Sequence, residues 1–509
     1  MPPMPRPSAR ILGYGLLFVA AIVVGAELAR PFRSASVAFD SQAAVLYFDR
    51  IVSGSRLEAF ISTTPKPLLT LVFGLLHSAF HDWRALAWIT LATNGLAIVL
   101  AAGLAHRLGG AIAAAFVGLA LVDNASLLFD VGFALATPFA LLGWAIAGLA
   151  ITSPRPRYVI AGLGLAFAAL ARVETLVVVG VAIVAIGWAS WAPRRYRVAT
   201  PPRGAWLLPA VGLLALPVML VHDLLLTGDP LYWMGVAGRF AAQTTAHVPT
   251  PLEIAEDLVV RYWGMGALTL LAVVGAVRLV MGRHLGIVIG LVGLGPGIAA
   301  FLVLLAMRGV FVPIRYVAPV DVAVIFAAGL GVAAIGPTLL RQAPLDRWAG
   351  RLPGRGEVPA VVGAAGVLAV LLSGPYWQVN DAIRTTVRES LELAIDADTA
   401  VPVISAELAA TGRMNTADPR VLAASAIRPR LIVDLDLPIP AVGTTAAARL
   451  DPAGGYPAPG QVVLHSRAGD ADAEGWATLE TDVARTVGAV TLDPLLADPV
   501  AGLWVIAIR

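Results

Sequence analysis

Blocks of about 17 to 23 apolar residues recur along the chain, and this is the length that a helix needs to cross a bilayer core. Hydrophobic residues make up 58% of the sequence and charged residues 14%, whereas about a quarter of a soluble domain is charged. The first block, "ARILGYGLLFVAAIVVGAELAR", is too long for a signal peptide and lacks its cleavage pattern, so it is predicted to be a spanning helix. The sequence therefore predicts a polytopic α-helical membrane protein.

The arginine-rich loops orient the predicted spans. Loops such as "APRRYRVATPPRG" and "LRQAPLDRWAGRLPGRGE" are expected to face the cytoplasm. This places the N-terminus in the cytoplasm, the C-terminal residues outside, and the protein in the plasma membrane as a multi-pass protein. An odd number of crossings follows, and we predict about 11, with 67–80 re-entrant or packed inside the protein; about 13 is the alternative. The predicted spans are 11–29, 84–105, 110–128, 133–152, 158–172, 174–192, 205–226, 264–280, 285–307, 318–338 and 357–374.

The long apolar blocks end near residue 374, and shorter segments with helix and strand periodicity follow. This change predicts two domains. Residues 1–374 form the membrane domain, with a long first outer loop at 31–66, and residues 375–509 form a small extracytoplasmic α/β domain. Residues 376–395 have the apolar spacing of an amphipathic helix, whereas "VPVIS", "RLIVDLDL", "QVVLHS", "VGAVTL" and "LWVIAIR" are typical of short strands.

Charge and motif content exclude several classes of function. The formal net charge of +3 is modest and the arginines lie in short loops, which argues against a nucleic-acid partner. The chain has no cysteine, so disulfides and thiolate metal sites are excluded. Histidine is sparse and no ligand spacing recurs, so we expect no metal or other cofactor, with a two-carboxylate divalent metal site as the weaker alternative. Lipids are the expected surroundings of the membrane domain.

The first outer loop carries two candidate functional residues. Asp40 stands at the start of "FDSQAAVLYFDRIV", an amphipathic helix suited to the membrane surface; the alternative role of Asp40 is to cap that helix. Lys66 ends the loop between two prolines and is the only lysine among 36 lysine and arginine residues. Because lysine is a compact point charge and arginine a planar fork, this choice favours a specific anion contact over simple anchoring at the lipid interface.

Three further outer segments carry ionisable groups. Arg172 and Glu174 lie between two apolar helices, where such groups are costly and tend to be functional, although a structural ion pair is the alternative. Arg315 and Tyr316 stand at the outer end of a predicted span, where a guanidinium could grip a phosphate or anchor the helix. Asp229 lies in "GDPLYW", where turn formation alone could explain it.

Taken in order, these segments resemble the GT-C superfamily of polyprenyl-phosphate-sugar glycosyltransferases, over most of the membrane domain. "FDSQ", "TPKPLL", "RVET", "GDPLYW" and "RYVAP" match an acidic first-loop residue and four later motifs of that superfamily. The arrangement is most similar to actinobacterial arabinofuranosyl- and mannosyltransferases. Three positions depart from the pattern: Ser41 follows Asp40 where many relatives have a second acid, Val173 replaces a proline, and Ala136 replaces an acid.

The resemblance implies an inverting glycosyltransferase that moves a sugar from a polyprenyl-phosphate donor to an envelope glycan or glycolipid acceptor at the outer face. Asp40 would be the catalytic base, and Lys66 and Arg315 would bind the donor phosphate. Pocket residues would be Arg172, Glu174, Asp229 and Tyr316. Two alternatives remain open: a lipid or sugar transporter or flippase, which would predict paired repeats, and a catalytically silent envelope scaffold.

Overall fold

Helices dominate the described part of the chain. The structure, a computed structural model, describes residues 7–28, 37–61, 63–191, 201–244, 249–310, 314–342, 381, 397–412, 421–423, 427–444, 461–466, 492–498 and 503–508. Three predicted elements lie wholly or largely outside these ranges. They are the span 357–374, the helix 376–395 and the strand "VGAVTL", of which residues 487–491 are outside.

The first half of the membrane domain is a series of eight helices in the described ranges. They are α1 (Pro7–Leu28), α2 (Phe39–Val52), α3 (Pro67–Phe80), α4 (Arg84–Val122), α5 (Ala125–Gly132), α6 (Thr137–Ile151), α7 (Tyr158–Ala171) and α8 (Thr175–Trp191).

The second half continues in the same way. After a short 3-10 turn (Arg203–Trp206) come α9 (Leu207–Gly212), α10 (Ala215–Thr227), α11 (Tyr232–Thr244), α12 (Pro251–Gly264), α13 (Ala267–Met281) and α14 (Leu285–Val292). A π-turn (Gly293–Gly297) joins α14 to α15 (Ile298–Met307), and the 3-10 turn Ile314–Val317 leads into α16 (Ala318–Gln342).

Several of these helices have the length and composition of membrane spans. Four stretches qualify on their own: Arg84–Val122, Arg203–Thr227, Leu285–Met307 and Ala318–Ile335. The pair α12 and α13, bent by 90°, qualifies together, and five shorter apolar helices accompany them in the described part. The chain is therefore a polytopic helical membrane protein, as its apolar blocks predict, while the number of crossings stays a prediction.

Helix α4 contains a break that the sequence also indicates. It runs for 39 residues, about twice what one crossing of a bilayer needs. Gly110 leaves helical geometry with φ 78° and ψ −166°, a conformation that glycine adopts without steric cost. The break falls at the boundary between the predicted spans 84–105 and 110–128.

The C-terminal residues form a mixed five-stranded sheet. Its strands are β1 (Val421–Ala423), β2 (Val442–Thr444), β3 (Val462–Ser466), β4 (Leu492–Asp498) and β5 (Leu503–Ile508), in the order β2-β1-β3-β5-β4. Strand β1 pairs in parallel with β2 and β3, and β5 pairs antiparallel with β3 and β4. The strand predictions for "QVVLHS" and "LWVIAIR" are confirmed.

Two other strand predictions are wrong. "VPVIS" lies inside helix α17 (Ala397–Ala410), and most of "RLIVDLDL" lies in helix α18 (Arg428–Asp434). In α17 the buried residues are Ala400, Ile404 and Leu408, whereas Pro402 and Ala406, which a strand would place on the same face, are exposed. A run of β-branched residues is compatible with a strand or a helix. The four-residue spacing of the buried side chains is the feature that distinguishes the helix here.

The C-terminal residues pack on α2 and on the loop that follows it. Buried residues of the sheet and of α17 and α18 form one apolar cluster with Ala43, Leu46 and Tyr47 of α2. Polar contacts cross the same boundary: Arg428 Nη1 donates to the Phe60 carbonyl at 3.0 Å, and Trp83 Nε1 donates to Asp434 Oδ1 at 2.8 Å. Residues 41–47 are consequently all buried. Helix α2 is thus enclosed between α3 and the C-terminal layer, and its position at the membrane surface stays a prediction.

Candidate active site

Asp40 lies in the first turn of α2 with both carboxylate oxygens in contact with the loop that precedes α3. Thr63 Oγ1 donates a hydrogen bond to Oδ1 at 2.6 Å, and Lys66 Nζ lies 3.0 Å from Oδ2. The cap position of α2 belongs to Ala38, and no side chain caps it. The capping role considered for Asp40 is therefore wrong, and its carboxylate is directed toward Lys66.

Lys66 is held in place by the start of α3. It occupies the cap position of that helix in extended geometry, Pro67 follows at the first helical position, and the Lys66 carbonyl accepts from Thr70 N at 2.9 Å. Proline at this position favours the helix start and removes an amide that would have no partner. Pro65, on the other side of Lys66, has a fixed φ angle and restricts the backbone of Thr64 before it. The ammonium is thus presented by a stiff segment, as the sequence predicts.

Arg172 and Glu174 form a buried ion pair in the turn between α7 and α8. Arg172 Nη2 donates to Glu174 Oε1 at 3.0 Å, and Nη1 donates to Thr137 Oγ1 at the start of α6. Asp130 Oδ2 lies 3.8 Å from the guanidinium, and the Tyr316 ring centre lies 5.3 Å from Arg172 Cζ. Burial would raise the pKa of Glu174, but the adjacent guanidinium outweighs it and holds that pKa below its usual value.

These groups meet in one small pocket. Asp40, Lys66, Arg172, Glu174 and Tyr316, all predicted from sequence, line a cavity of about 40 Å³. Asp130 lines it too, so three carboxylates and two cations share its walls. A guanidinium and an ammonium facing carboxylates can bind an anion and hold a base close to it. In the part of the chain that the structure describes, no three His, Asp or Glu residues group as metal ligands.

Two predicted residues remain, Asp229 and Arg315, and the structure describes the side chain of Asp229 alone. Asp229 is exposed, and its Oδ1 accepts from Leu231 N at 2.9 Å, which is the turn role considered from sequence; it does not line the pocket. Arg315 belongs to the 3-10 turn Ile314–Val317, beside Tyr316. The side chain of Arg315 lies outside the described part, so its phosphate-binding role stays a prediction.

The structure adds residues to the site that sequence patterns do not single out for it. Thr63 bonds Asp40, and Tyr47 OH donates to the Thr63 carbonyl at 3.0 Å. Tyr232, from the same "GDPLYW" segment as Asp229, donates to the Ile61 carbonyl at 3.4 Å. These contacts are tertiary, and only the accumulation of polar residues in "STTPK" hints at them.

Comparison with known proteins places the fold. No protein-family model and no curated protein matches the sequence. The crystal structure of ArnT from Cupriavidus metallidurans bound to undecaprenyl phosphate matches 97% of this chain and 98% of its own, with a TM-score of 0.52 and 14% sequence identity. The apo structure of the same protein matches 98% of both chains, with a TM-score of 0.50 and 15% identity. The chain has the GT-C fold that the order of its motifs predicts.

Proposed function

We propose that this protein is an inverting glycosyltransferase that moves a sugar, arabinofuranose or mannose, from a polyprenyl-phosphate donor to an envelope glycan or glycolipid. The observation that carries the proposal is the contact of Asp40 with Lys66 at the wall of a pocket that also holds Arg172 and Glu174. A base and a fixed cation next to each other suit a reaction that takes a proton from one partner and leaves negative charge on the other. A structural neighbour that carries undecaprenyl phosphate supports the choice of donor.

In the proposed reaction the acceptor hydroxyl oxygen attacks the anomeric carbon of the donor sugar. Asp40 takes the hydroxyl proton as the new glycosidic bond forms. The bond from the anomeric carbon to the phosphate oxygen breaks, and its electron pair leaves with the polyprenyl phosphate. Attack from the side opposite the leaving group inverts the anomeric centre.

Lys66 has two anionic partners in this scheme. The negative charge that grows on the phosphate is where a fixed ammonium stabilises the transition state most. Before the donor arrives the ammonium is bonded to Asp40. The phosphate draws Lys66 toward itself, and this frees an oxygen of Asp40 for the acceptor. The pocket volume of about 40 Å³ is far below the several hundred Å³ of a ligand site, so donor binding has to open it.

The buried pair of Arg172 and Glu174 lines the same pocket. Its bond to Thr137 ties the α7–α8 turn to the start of α6, and the Tyr316 ring covers the guanidinium. A carboxylate that stays ionised next to Arg172 can accept a hydrogen bond from a hydroxyl of the donor sugar. By the arginine distribution in the loops, this end of the membrane domain faces outward.

A donor panel tests the proposal. The full chain, purified and returned to vesicles, is given polyprenyl-phosphate arabinofuranose, mannose, glucose or galactose together with an envelope glycolipid extract. We expect one donor, arabinofuranose or mannose first, to release polyprenyl phosphate and to add one sugar mass to an acceptor. Translocation of intact donor across the vesicle without any release would identify a flippase and overturn the proposal.

A further inference from the structure

Thr63 and Asp40 are joined by a short hydrogen bond that the proposed chemistry does not by itself require. Thr63 Oγ1 donates to Asp40 Oδ1 at 2.6 Å, from a residue 23 positions away, and Thr63 is 4% exposed. The other carboxylate oxygen, Oδ2, faces Lys66. One oxygen of Asp40 is therefore held by a neutral hydroxyl, and the other by the cation that the donor phosphate attracts.

Two tyrosines hold the backbone at and before the threonine. Tyr47 OH donates to the Thr63 carbonyl at 3.0 Å, and Tyr232 OH donates to the carbonyl of Ile61, two residues earlier. Tyr47 is 1% exposed, and its burial raises its pKa well above the usual value, so the phenol keeps its proton and stays a donor. A β-branched side chain such as threonine also has few χ1 rotamers. The hydroxyl of Thr63 is thus a rigid donor aimed at one oxygen.

We propose that Thr63 is a positioning residue for Asp40: its hydroxyl holds Oδ1, keeps the carboxylate in its ionised form, and directs Oδ2 at the acceptor hydroxyl once Lys66 moves to the donor phosphate. The proposal rests on the proposed function of Asp40 as the base. A donor hydrogen bond to a carboxylate favours the charged form, which is the form that can accept a proton. Without that bond the carboxylate can rotate about its Cβ–Cγ bond and lose its alignment with the acceptor.

The test compares three variants of the full chain. Thr63→Val keeps the branched shape and removes the hydroxyl, whereas Thr63→Ser keeps the hydroxyl. Thr90→Val makes the same exchange at a buried threonine of α4, whose hydroxyl donates to the Leu86 carbonyl of its own helix and which does not line the pocket. Transfer from the active donor is measured from about pH 5 to pH 9, with kcat and the KM for the donor determined separately.

A positioning role predicts a specific pattern. In T63V the kcat falls about ten- to a hundredfold, which is the effect of one hydrogen bond to a charged group, while the donor KM stays close to wild type. The acidic limb of the pH–rate profile moves to higher pH, because the ionised carboxylate has lost a donor. T63S recovers most of the rate and the original limb, and T90V resembles wild type.

The opposing outcomes are distinct. A T63V profile that coincides with wild type overturns the inference, and so does a T63S variant as slow as T63V with an unmoved acidic limb, which would show a purely structural role. Asp40→Asn separates these results from the proposed function. If D40N still transfers sugar, Asp40 is not the base and both ideas fail; if D40N is inactive and T63V is normal, only the role of Thr63 fails.

Discussion

Lys66 Nζ lies 3.0 Å from Asp40 Oδ2, across 26 positions of the chain. The two side chains are 18% and 10% exposed, so each is largely withdrawn from water and screened little by salt. The pair joins the start of α2 to the start of α3 and places the proposed base in direct contact with the cation proposed to bind the donor phosphate. Each charge therefore has a partner in the resting state, and we expect donor and acceptor to bind in a fixed order.

Lys66 is expected to be the residue whose loss most weakens donor binding. In Lys66→Ala the Kd for polyprenyl phosphate should rise about ten- to a hundredfold, because a charge-assisted contact to the phosphate is lost. In Lys66→Arg the positive charge remains, but the planar guanidinium does not match a site built for a compact ammonium. We expect near-normal binding and about tenfold slower transfer, since alignment matters most in the transition state.

Titration of the purified variants with polyprenyl phosphate, followed by single-turnover transfer, measures both effects. Arg308→Lys is a matched control, because it makes the reverse exchange at an exposed position outside the pocket. Unchanged affinity of K66A for polyprenyl phosphate would contradict the assignment of Lys66 to the donor.

Asp40→Asn is predicted to abolish base catalysis while it leaves the fold intact. Asparagine has the shape of aspartate and can still accept from Thr63, but it cannot take a proton. Transfer should fall about a hundred- to ten-thousandfold, the usual contribution of a general base. Asp229→Asn is the matched control, because Asp229 is exposed and bonds its own turn. D229N should retain transfer, and equal losses in the two variants would argue against a special role for Asp40.

Much of this arrangement could be predicted from the sequence. The apolar blocks identify the membrane helices, since a spanning helix must satisfy its backbone internally and cover its length with apolar side chains. The order of the motifs places Asp40, Lys66, Arg172, Glu174 and Tyr316 on one face, and the structure brings all five to one pocket. Each of these residues lies within two residues of an end of an α-helix, so a helix boundary predicted from hydropathy also locates the side chain.

The remainder depends on tertiary contacts that carry no local signal. Asp130 is a polar residue of α5 near the predicted outer face, but its place in the pocket with Asp40 depends on tertiary contacts such as that of Ser41 Oγ, which donates to the Ala134 carbonyl at 2.6 Å and connects α2 to the turn after α5. Thr63 bonds Asp40, and Tyr47 bonds the Thr63 carbonyl, in the loop that precedes α3. No sequence periodicity predicts the path of that loop. The enclosure of α2 by the C-terminal layer requires packing between residues nearly 400 positions apart, such as Gln42 and Arg430. The apolar residues of α2 have the same hydropathy pattern whether the C-terminal layer or lipid covers them, so the pattern does not predict this packing.

The pair of Arg172 and Glu174 predicts how stability depends on pH. Because the pKa of Glu174 is lower in the folded protein than its usual value of about 4.3, the pair stabilises the protein above that value and the contribution is lost as pH falls further. Glu174→Gln should lower the free energy of unfolding by about 3 kcal/mol at pH 7, since it leaves a buried guanidinium with less compensation. The difference in the free energy of unfolding between wild type and E174Q should become smaller toward pH 3.

Thermal unfolding of the detergent-solubilised protein at pH 7, 5 and 3.5 measures this dependence. Glu256→Gln, at an exposed position of α12, is the matched control and should follow the wild type at every pH. A deficit in E174Q that is the same at all three pH values would show that the carboxylate contributes by packing and not by charge.

Gly164 and Gly143 allow α6 and α7 to approach closely, and this contact bears on the site. A Cβ built on Gly164 would lie 2.7 Å from the Gly143 carbonyl oxygen, and one on Gly143 would lie 2.5 Å from that of Gly164. Small residues at such a crossing let two membrane helices pack backbone to backbone. Gly164→Ala therefore has to push the helices apart, at a cost of about 1–3 kcal/mol.

The displacement should also reach the pocket. Arg172 at the end of α7 bonds Thr137 at the start of α6, about 12 Å along the helix from Gly164. We expect G164A to lower both the unfolding temperature and the transfer rate. Gly180→Ala in α8 is the matched control, because nothing lies within 4 Å of its added Cβ and alanine is the better helix former. If G164A and G180A behave alike, the close approach does not hold the site together, and the two helices must be positioned by the Arg172 contacts alone.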